Sequence, residues 1–318
     1  MPRKKSSEAP TEVVIEGEYP DIEILPTGLH SFDVATGGGL PARTGIEVYG
    51  YNYSGKSSLV YYLAGRVASS YEGSIEIADF EGLSKKYLSS AISRGSIGGK
   101  IKTRLVAIST KEKGKVLPST AEEILTRLKD SFSEEGSCVA IVDSVSAIIP
   151  ASEMDEEIGS GQMGRRAKVM ADFCRRASAW LRNKDRLCNV FMVNHLFALM
   201  GSTGSSTSGG EAIKNLSQVR VRLTPKEREE DGVMIVKGTI EKHRYRPDLS
   251  EGKEFYFVIV PGYGVHPGLS AVIDCINAGL AQRDRTITLG KKSFGFWSKI
   301  KANLNEPDFF LPFNEALG

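Results

Sequence analysis

One octapeptide limits what the rest of this chain can be: Gly50-Tyr51-Asn52-Tyr53-Ser54-Gly55-Lys56-Ser57. It satisfies GxxxxGK[ST] in full, with an apolar run at Thr44–Tyr49 before it and a helical run at Ser57–Ser70 after it. A glycine loop between strand and helix turns backbone N–H groups inward. The helix N-terminus adds partial positive charge, so the loop holds a polyphosphate. Lys56 then reaches the β- and γ-phosphates, and the Ser57 hydroxyl ligates Mg²⁺. The competing reading is a chance glycine turn before a helix, and the strand–loop–helix context argues against it.

The surroundings of the loop repeat that alternation. Strand patterns fall at Ser74–Ala78, Arg104–Ile108, Cys138–Val142 and Asn189–Val193. Helical patterns fall at Leu83–Arg94, Thr120–Phe132 and Gly164–Arg186, the second capped by Ser119 or Thr120 with Glu122 and Glu123 in its first turn. Cys138–Val142 is apolar throughout, the pattern of a strand buried on both faces. Strands alternating with helices give a mainly parallel α/β sheet. After residue 215 the pattern changes. Val219–Leu223, Val233–Ile240 and Phe255–Val260 are strands without intervening helices, which predicts antiparallel strands extending the sheet. Ser270–Gly279 reads as a helix closed by glycine, and 280–318 as a small basic and aromatic lobe. A polar, basic tail at 1–11 and a short strand at Val13–Ile15 open the chain. The organisation is thus an N-terminal tail and assembly arm at 1–35, a core at 36–265 and a C-terminal lobe at 266–318.

Two acids complete the chemistry that the loop implies. Val139-Ala140-Ile141-Val142-Asp143 is an apolar strand ending in a carboxylate, placed to hold Mg²⁺ beside the loop. Ile75-Glu76-Ile77-Ala78-Asp79-Phe80-Glu81 sets acids just past another strand, and Glu81 is the candidate base for an attacking water. The bland alternative for Glu81 is an exposed strand-end carboxylate.

Net charge names no partner, because 41 Lys and Arg against 39 Asp and Glu leave +2. A nucleic-acid surface must come from local clustering. The predicted helix at 164–186 supplies one. At about 100° per residue, Arg165, Lys168, Arg175, Arg176, Arg182 and Arg186 share a face opposite Val169, Met170, Phe173, Ala177, Trp180 and Leu181. Arg165 and Lys168 are the candidate phosphate contacts; a solvated charged face is the alternative. The stretch at 197–210 is rich in Gly, Ser and Thr, suited to sequence-blind backbone contact, and Phe197 or Met163 can wedge between bases. A plain linker is the alternative there. The basic residues Arg283, Arg285, Lys291, Lys292, Lys299 and Lys301, with Trp297 among them, fit either duplex capture or a charged mini-lobe. Phe309-Phe310-Leu311-Pro312-Phe313 fits docking on its own domain or on a partner. Four isolated cysteines read as buried thiols of a reducing cytoplasm, no apolar run is long enough for a membrane helix, and no secretory signal opens the chain.

In their order the segments resemble the RecA family of recombinases, with bacteriophage UvsX-like members nearest, over roughly 250 residues from Leu25 to about Leu280. The similar segments are Leu25–Asp33 with Gly37–Pro41, the loop itself, Asp79-Phe80-Glu81, Asp143–Ala147, Glu157–Gly164, Asn194-His195, the stretch ending Gly209-Gly210, and Glu241–Arg244. The resemblance implies an α/β, RecA-like P-loop ATPase core with a mainly parallel twisted sheet flanked by helices. It implies ATP and Mg²⁺ as cofactors, held by residues 50–58 with Ser58, Tyr87 against adenine, and Asp143. Glu81 is the matching catalytic base and His195 the γ-phosphate sensor, a glutamine in bacterial RecA. Lys242 and Arg244 match cations that reach the ATP of a neighbouring subunit. Gln162, Met163, Gly164, Arg165, Lys168, Arg175, Phe197, Gly209 and Gly210 fall in or beside the two DNA-binding loops. The implied activity is DNA-dependent ATP hydrolysis with homologous pairing and strand exchange by a helical homo-oligomer on single-stranded DNA. Homologous duplex and a single-strand-binding or mediator protein are the further partners. A hexameric helicase and a signalling ATPase share the same core and stand as alternatives.

Overall fold

The computed structural model describes residues 22–106, 109–112, 115–154, 164–183, 185–198 and 205–318. The strand expected at Val13–Ile15 and the stretch Glu157–Met163 lie outside them. The chain enters through β1 (Ile24–Leu25), α1 (His30–Thr36) and β2 (Leu40–Pro41), with β1 and β2 paired antiparallel. Strand and helix then alternate: β3 (Thr44–Gly50), α2 (Lys56–Ser70), β4 (Ser74–Asp79), α3 (Lys85–Gly95) and β5 (Thr103–Leu105). A ribbon of β6 (Ser109–Glu112) and β7 (Lys115–Pro118) leads to α4 (Ala121–Phe132), β8 (Ser137–Asp143), α5 (Ala151–Met154), α6 (Arg165–Leu181) and β9 (Asn189–Ala198). Next come β10 (Ser205–Thr207), which folds back on β9, then α7 (Glu211–Leu216), β11 (Ser217–Arg228), β12 (Met234–His243), α8 (Pro247–Ser250), β13 (Glu254–Val260) and β14 (Gly264–Val265). The C-terminal lobe consists of α9 (Pro267–Asn277), β15 (Ala281–Arg283), β16 (Ile287–Leu289), β17 (Lys292–Gly295), α10 (Trp297–Lys301) and α11 (Leu311–Leu317).

The main sheet runs β14-β13-β12-β11-β3-β9-β8-β4-β5. From β11 to β5 every neighbouring pair is parallel, and β12, β13 and β14 add antiparallel strands. The fold is therefore the expected α/β class, with one refinement: β11 joins β3 in parallel, and the antiparallel extension starts at β12. All seven residues of β3 and of β8 are buried, because helices cover both faces. One apolar layer packs α2 and α3 on the sheet through Leu59, Leu63, Val67, Leu88 and Ile92, and the arm contributes Leu29, Phe32 and Ala35 to it. The opposite layer holds α4 and α6 through Ile124, Leu128, Met170, Phe173 and Ala177. A third cluster seats the C-terminal lobe on Val233, Ile235, Val258 and Val260 of the extension. Phe310 and Phe313 are buried in that cluster, so the apolar C-terminal segment docks on its own chain.

Local signals explain several element ends. Thr120 and Glu123 form a reciprocal capping box at the start of α4, each side chain accepting the other's backbone N–H at 3.2 Å. The helix expected at 164–186 is shorter: Gly164 is its N-cap and Arg182 its C-cap. Asn183 ends it by accepting the Asp185 N–H at 3.0 Å. Arg186 consequently leaves the basic face. Its guanidinium donates to the carbonyls of Phe132 and Ser137 and lies 4.3 Å from the centre of the Phe132 ring. Among the described residues, no helix is long and apolar enough to cross a membrane.

Helices α2 and α3 cross at touching backbones. A Cβ on Gly95 would lie 1.8 Å from the Tyr62 carbonyl oxygen, and one on Gly65 would lie 2.0 Å from that of Ile92. Neither backbone has space to retreat into, since Tyr62 and Ile92 are themselves buried. Gly95→Ala is expected to destabilise the fold by about 3 kcal/mol, the upper end of overpacking costs. Urea denaturation measures it, and an unchanged midpoint would contradict this crossing.

Candidate nucleotide site and loop stems

The register of the parallel strands gathers the chemistry at their carboxyl ends. Gly50 of β3 lies opposite His195 of β9, and Asp79 of β4 lies opposite Asp143 of β8. Above that edge is a cleft of about 400 Å³ lined by Asn52 to Ser58, Glu81, Leu83, Tyr87 and His195. A larger groove, about 970 Å³, runs between α3 and β5, where none of the expected catalytic residues lies.

Gly55 caps α2 at φ 84°, a backbone conformation that calls for glycine, and Ile259 Cδ1 packs so close that it would have to move for a Cβ there. The extension strands β12 and β13 thus form the floor behind the loop. Tyr51 and Tyr53 point outward and are exposed, Tyr53 at φ 59°. Lys56 is buried and donates to the Tyr51 carbonyl at 2.9 Å. Desolvation lowers its pKa, against the opposing pull of the Glu81 and Asp143 charges. Ser58 Oγ and Tyr87 Oη are 2.6 Å apart, which anchors Tyr87 on the cleft wall.

Asp143 is fully buried. Its Oδ2 accepts from Tyr61 at 2.9 Å, and the Ser57 hydroxyl stands near the carboxylate. Its Oδ1 has no hydrogen-bond partner. Burial first, then the charges of Glu81 and Asp79, raise its pKa to about 6, while the two hydroxyls hold it down. A buried carboxylate oxygen without a donor, beside a serine hydroxyl, is the oxygen set that suits Mg²⁺. Tyr61 is absent from the sequence expectations, although it lies one helical turn beyond Ser57 and so shares its face.

The loop after β4 is fixed by Asp79, whose carboxylate accepts the backbone N–H groups of Glu81 (3.0 Å), Gly82 (2.9 Å) and Leu83 (2.7 Å). That turn presents Glu81, which accepts from Ser144 Oγ at 2.5 Å. His195 spans the cleft: its Nδ1 is 2.6 Å from Asn52 Oδ1 and its Nε2 is 3.1 Å from Glu81 Oε1. The sensor candidate therefore touches both the phosphate loop and the candidate base.

Lys242 and Arg244 are not brought to this cleft. Lys242 pairs with Arg220, which pairs with Glu47, three residues before Gly50. That offset is about 10 Å down the strand and two strands, about 10 Å, across. Lys242 donates to the Lys214 carbonyl at 2.7 Å, and Arg244 is exposed.

Of the described residues expected at DNA, Phe197 lies two positions beyond His195 on β9, and Gly164, Arg165 and Lys168 stand at the N-terminal end of α6. Gln162 and Met163 are outside the described residues. Gly164 caps α6 at φ 97°, Arg165 donates to the Ser152 carbonyl at 2.6 Å, and Lys168 is exposed. Arg175 and Arg176 share Asp172 at 2.8 and 2.9 Å. Phe197, half exposed, lies 6.3 Å from the His195 ring. Gly209 is buried where a side chain would strike Ile213 and Val145, and Gly210 abuts Ala167 of α6. Gly210 is thus packed against α6, and Gly209 against α7 and the turn after β8. In the C-terminal lobe Arg283 and Lys301 are already ion-paired, with Glu227 and with Glu229 and Asp231 respectively, and the Trp297 indole donates to Glu229.

Residues 12–242 match the model of the RecA N-terminal domain, and the chain belongs to the RecA family. It is 26% identical over 254 residues to Protein RecA of Francisella tularensis subsp. novicida strain U112, covering 77% of this chain and 65% of that protein. Protein RecA of subsp. tularensis strain SCHU S4 matches at the same level, 26% identity over 254 residues. The chain thus spans 65% of the length of these curated relatives. A crystal structure of the RadB recombinase aligns with TM-score 0.48 and 21% identity, over 76% of this chain and 98% of that one.

The Asp143 carboxyl has a stability consequence. Its folded pKa of about 6 exceeds the ordinary 3.8, so the native state binds this proton more tightly than the unfolded chain. The resulting stability is complete below about pH 4 and is lost as pH rises through about 6. Asp143→Asn removes this loss, so the metal-free variant is expected to exceed wild type by up to about 3 kcal/mol at pH 8 and to match it near pH 4. Denaturant midpoints at both pH values, without Mg²⁺, measure the difference; Asp274, also raised to about 6, is common to both proteins and cancels.

Proposed function

We propose that this protein is a Mg²⁺-dependent ATPase of recombination, stimulated by DNA, that polymerises on single-stranded DNA as a helical filament and exchanges that strand with homologous duplex. The observation that carries this reading is the His195 bridge: one ring touches Asn52 of the phosphate loop and Glu81, on the strand that leads directly to the second loop stem. A signalling ATPase or a hexameric helicase needs the phosphate loop and the acids, but gives no reason for two loop stems packed on each other beside the sensor. UvsX-like membership, a cytoplasmic setting and a mediator partner belong to the same reading and rest on the sequence resemblance.

Each residue has a distinct task. Backbone N–H groups of residues 52–57 and the Lys56 ammonium hold the β- and γ-phosphates, so Lys56 exchanges the Tyr51 carbonyl for an anion. Ser57 and Asp143 would hold Mg²⁺, which would supply neutralisation of the charge that develops on the phosphates. Glu81 orients a water and accepts its proton, and the Ser144 hydroxyl fixes its carboxylate. Tyr87 lines the base side. His195 registers the γ-phosphate through Asn52 and Glu81. Lys242 and Arg244, remote from their own cleft, serve the cleft of the next subunit.

ATPase assays with and without single-stranded DNA, together with electron microscopy, test the reading: filaments and stimulation are expected, and rings or no stimulation would refute it. Lys56→Ala is expected to abolish hydrolysis. Glu81→Gln is expected to keep ATP binding while turnover falls by about 10²- to 10⁴-fold. A fall of less than about tenfold would move the base elsewhere.

The trans assignment has its own test. Lys56→Ala protein mixed with Lys242→Ala/Arg244→Ala protein is expected to regain activity at interfaces that pair an intact loop with intact cations. Co-assembly without recovery at any ratio would remove Lys242 and Arg244 from the site.

A further inference from the structure

Arg166, which falls outside the basic face read from the sequence, is the side chain that joins the two loop stems. It stands in the first turn of α6, where the first loop returns to the fold. Its Nε donates to the Ile148 carbonyl at 3.3 Å and its Nη1 donates to Ser208 Oγ at 3.1 Å. Ile148 is buried just beyond the strand that ends in Asp143, and Ser208 lies in the stem of the second loop. The same Ser208 is held from the opposite side, because its carbonyl accepts from Asn194 Nδ2 at 2.8 Å. Asn194 is fully buried and cannot turn away. Its Nδ2 also donates to Glu47 at 2.9 Å, and its Oδ1 accepts the His195 N–H at 2.9 Å. Glu47, buried in β3, is in turn neutralised by Arg220 at 2.6 Å.

We propose that Ser208, gripped between Arg166 and Asn194, is the joint that couples the two candidate DNA loops to each other and to the strand carrying His195, with Arg166 a positioning residue. The proposal rests on the DNA-dependent ATPase reading for its functional meaning. The geometry separates Arg166 from a phosphate-binding cation. Its guanidinium is half-buried and committed to two oxygens on different segments, whereas Lys168, two residues on and across the helix, is exposed. Two N–H groups in a rigid plane are required to span a carbonyl and a hydroxyl, and a lysine ammonium cannot reproduce that fork. The adjacent Gly209 presses against Val145 of the turn that follows Asp143, so a shift at Ser208 is transmitted to the metal side of the cleft as well.

The experiment uses the full chain. Hydrogen exchange without DNA is compared for wild type, Arg166→Ala, Ser208→Ala and the double variant. Each single change is expected to raise exchange both at residues 205–210 and in the first turn of α6, and the double is expected to do no more than the larger single, as for two ends of one contact. ATPase stimulation by poly(dT) is expected to fall roughly tenfold in Arg166→Ala and equally in Arg166→Lys, with fluorescent-nucleotide binding retained and the salt slope of DNA binding unchanged. Additive singles, rescue by lysine, or a slope flattened by about 0.7 would overturn the joint and make Arg166 a phosphate contact. If no polynucleotide stimulates wild type, the DNA reading falls, and the exchange data still decide whether the joint exists.

Discussion

The pairing of β3 with β9 sets the position of everything else at the site. Gly50 ends one strand and starts the phosphate loop; His195, directly opposite, carries the bridge to Glu81. Because side chains alternate along a strand, a slip of one residue would turn His195 away from the cleft and Asn194 into it. That register is held from within. Glu47 and Asn194 meet at 2.9 Å beneath the edge, both without solvent exposure, and Arg220 from the next strand balances the buried charge. A polar contact of this kind contributes less net stability than an apolar one of equal volume, but it penalises the wrong alignment, which leaves a buried charge unpaired.

The electrostatics of the cleft follow from the same crowding. Lys56, Asp143 and Glu81 are drawn together at the carboxyl ends of the parallel strands. The lysine leans on a carbonyl of its own loop, and one oxygen of the aspartate has no donor at all. Both charged groups are penalised by burial, and in opposite directions: the ammonium is made easier to neutralise, and the carboxyl is made harder to ionise. On the proposed reading, a metal–polyphosphate complex would supply counter-charge to each. The affinity of such a site is therefore drawn partly from relief of an existing penalty.

Much of this was legible in the sequence because the signals were local. The octapeptide, the apolar runs ending in Asp143 and near Glu81, and the capping residues before α4 each declare their geometry within a few positions. What escaped depended on segments far apart in the chain. Tyr61 needed the packing of α2 on β8. The basic helix was overextended because a charge pattern continues past a helix end: Arg186 has the right periodicity but follows a break at Asn183, and its guanidinium turns to Phe132 and Ser137. Arg166 was passed over for the converse reason, since its neighbours Arg165 and Lys168 supplied the visible stripe. The parallel junction of β11 with β3 has no local signature either, because an alternating strand looks the same whichever neighbour it joins.

The third apolar cluster changes how the chain divides. The lobe beyond residue 266 covers Val233, Ile235, Val258 and Val260, and those strands in turn supply Ile259 against Gly55. The phosphate loop is therefore buttressed by a wall that is itself dry only while the lobe is in place. Cutting the lobe away would wet the far side of that wall and loosen the backing of the loop from behind. Substitutions deep in the lobe, at Leu269 or Phe313, belong to the same mechanical circuit as the nucleotide, although no side chain of the lobe enters the cleft.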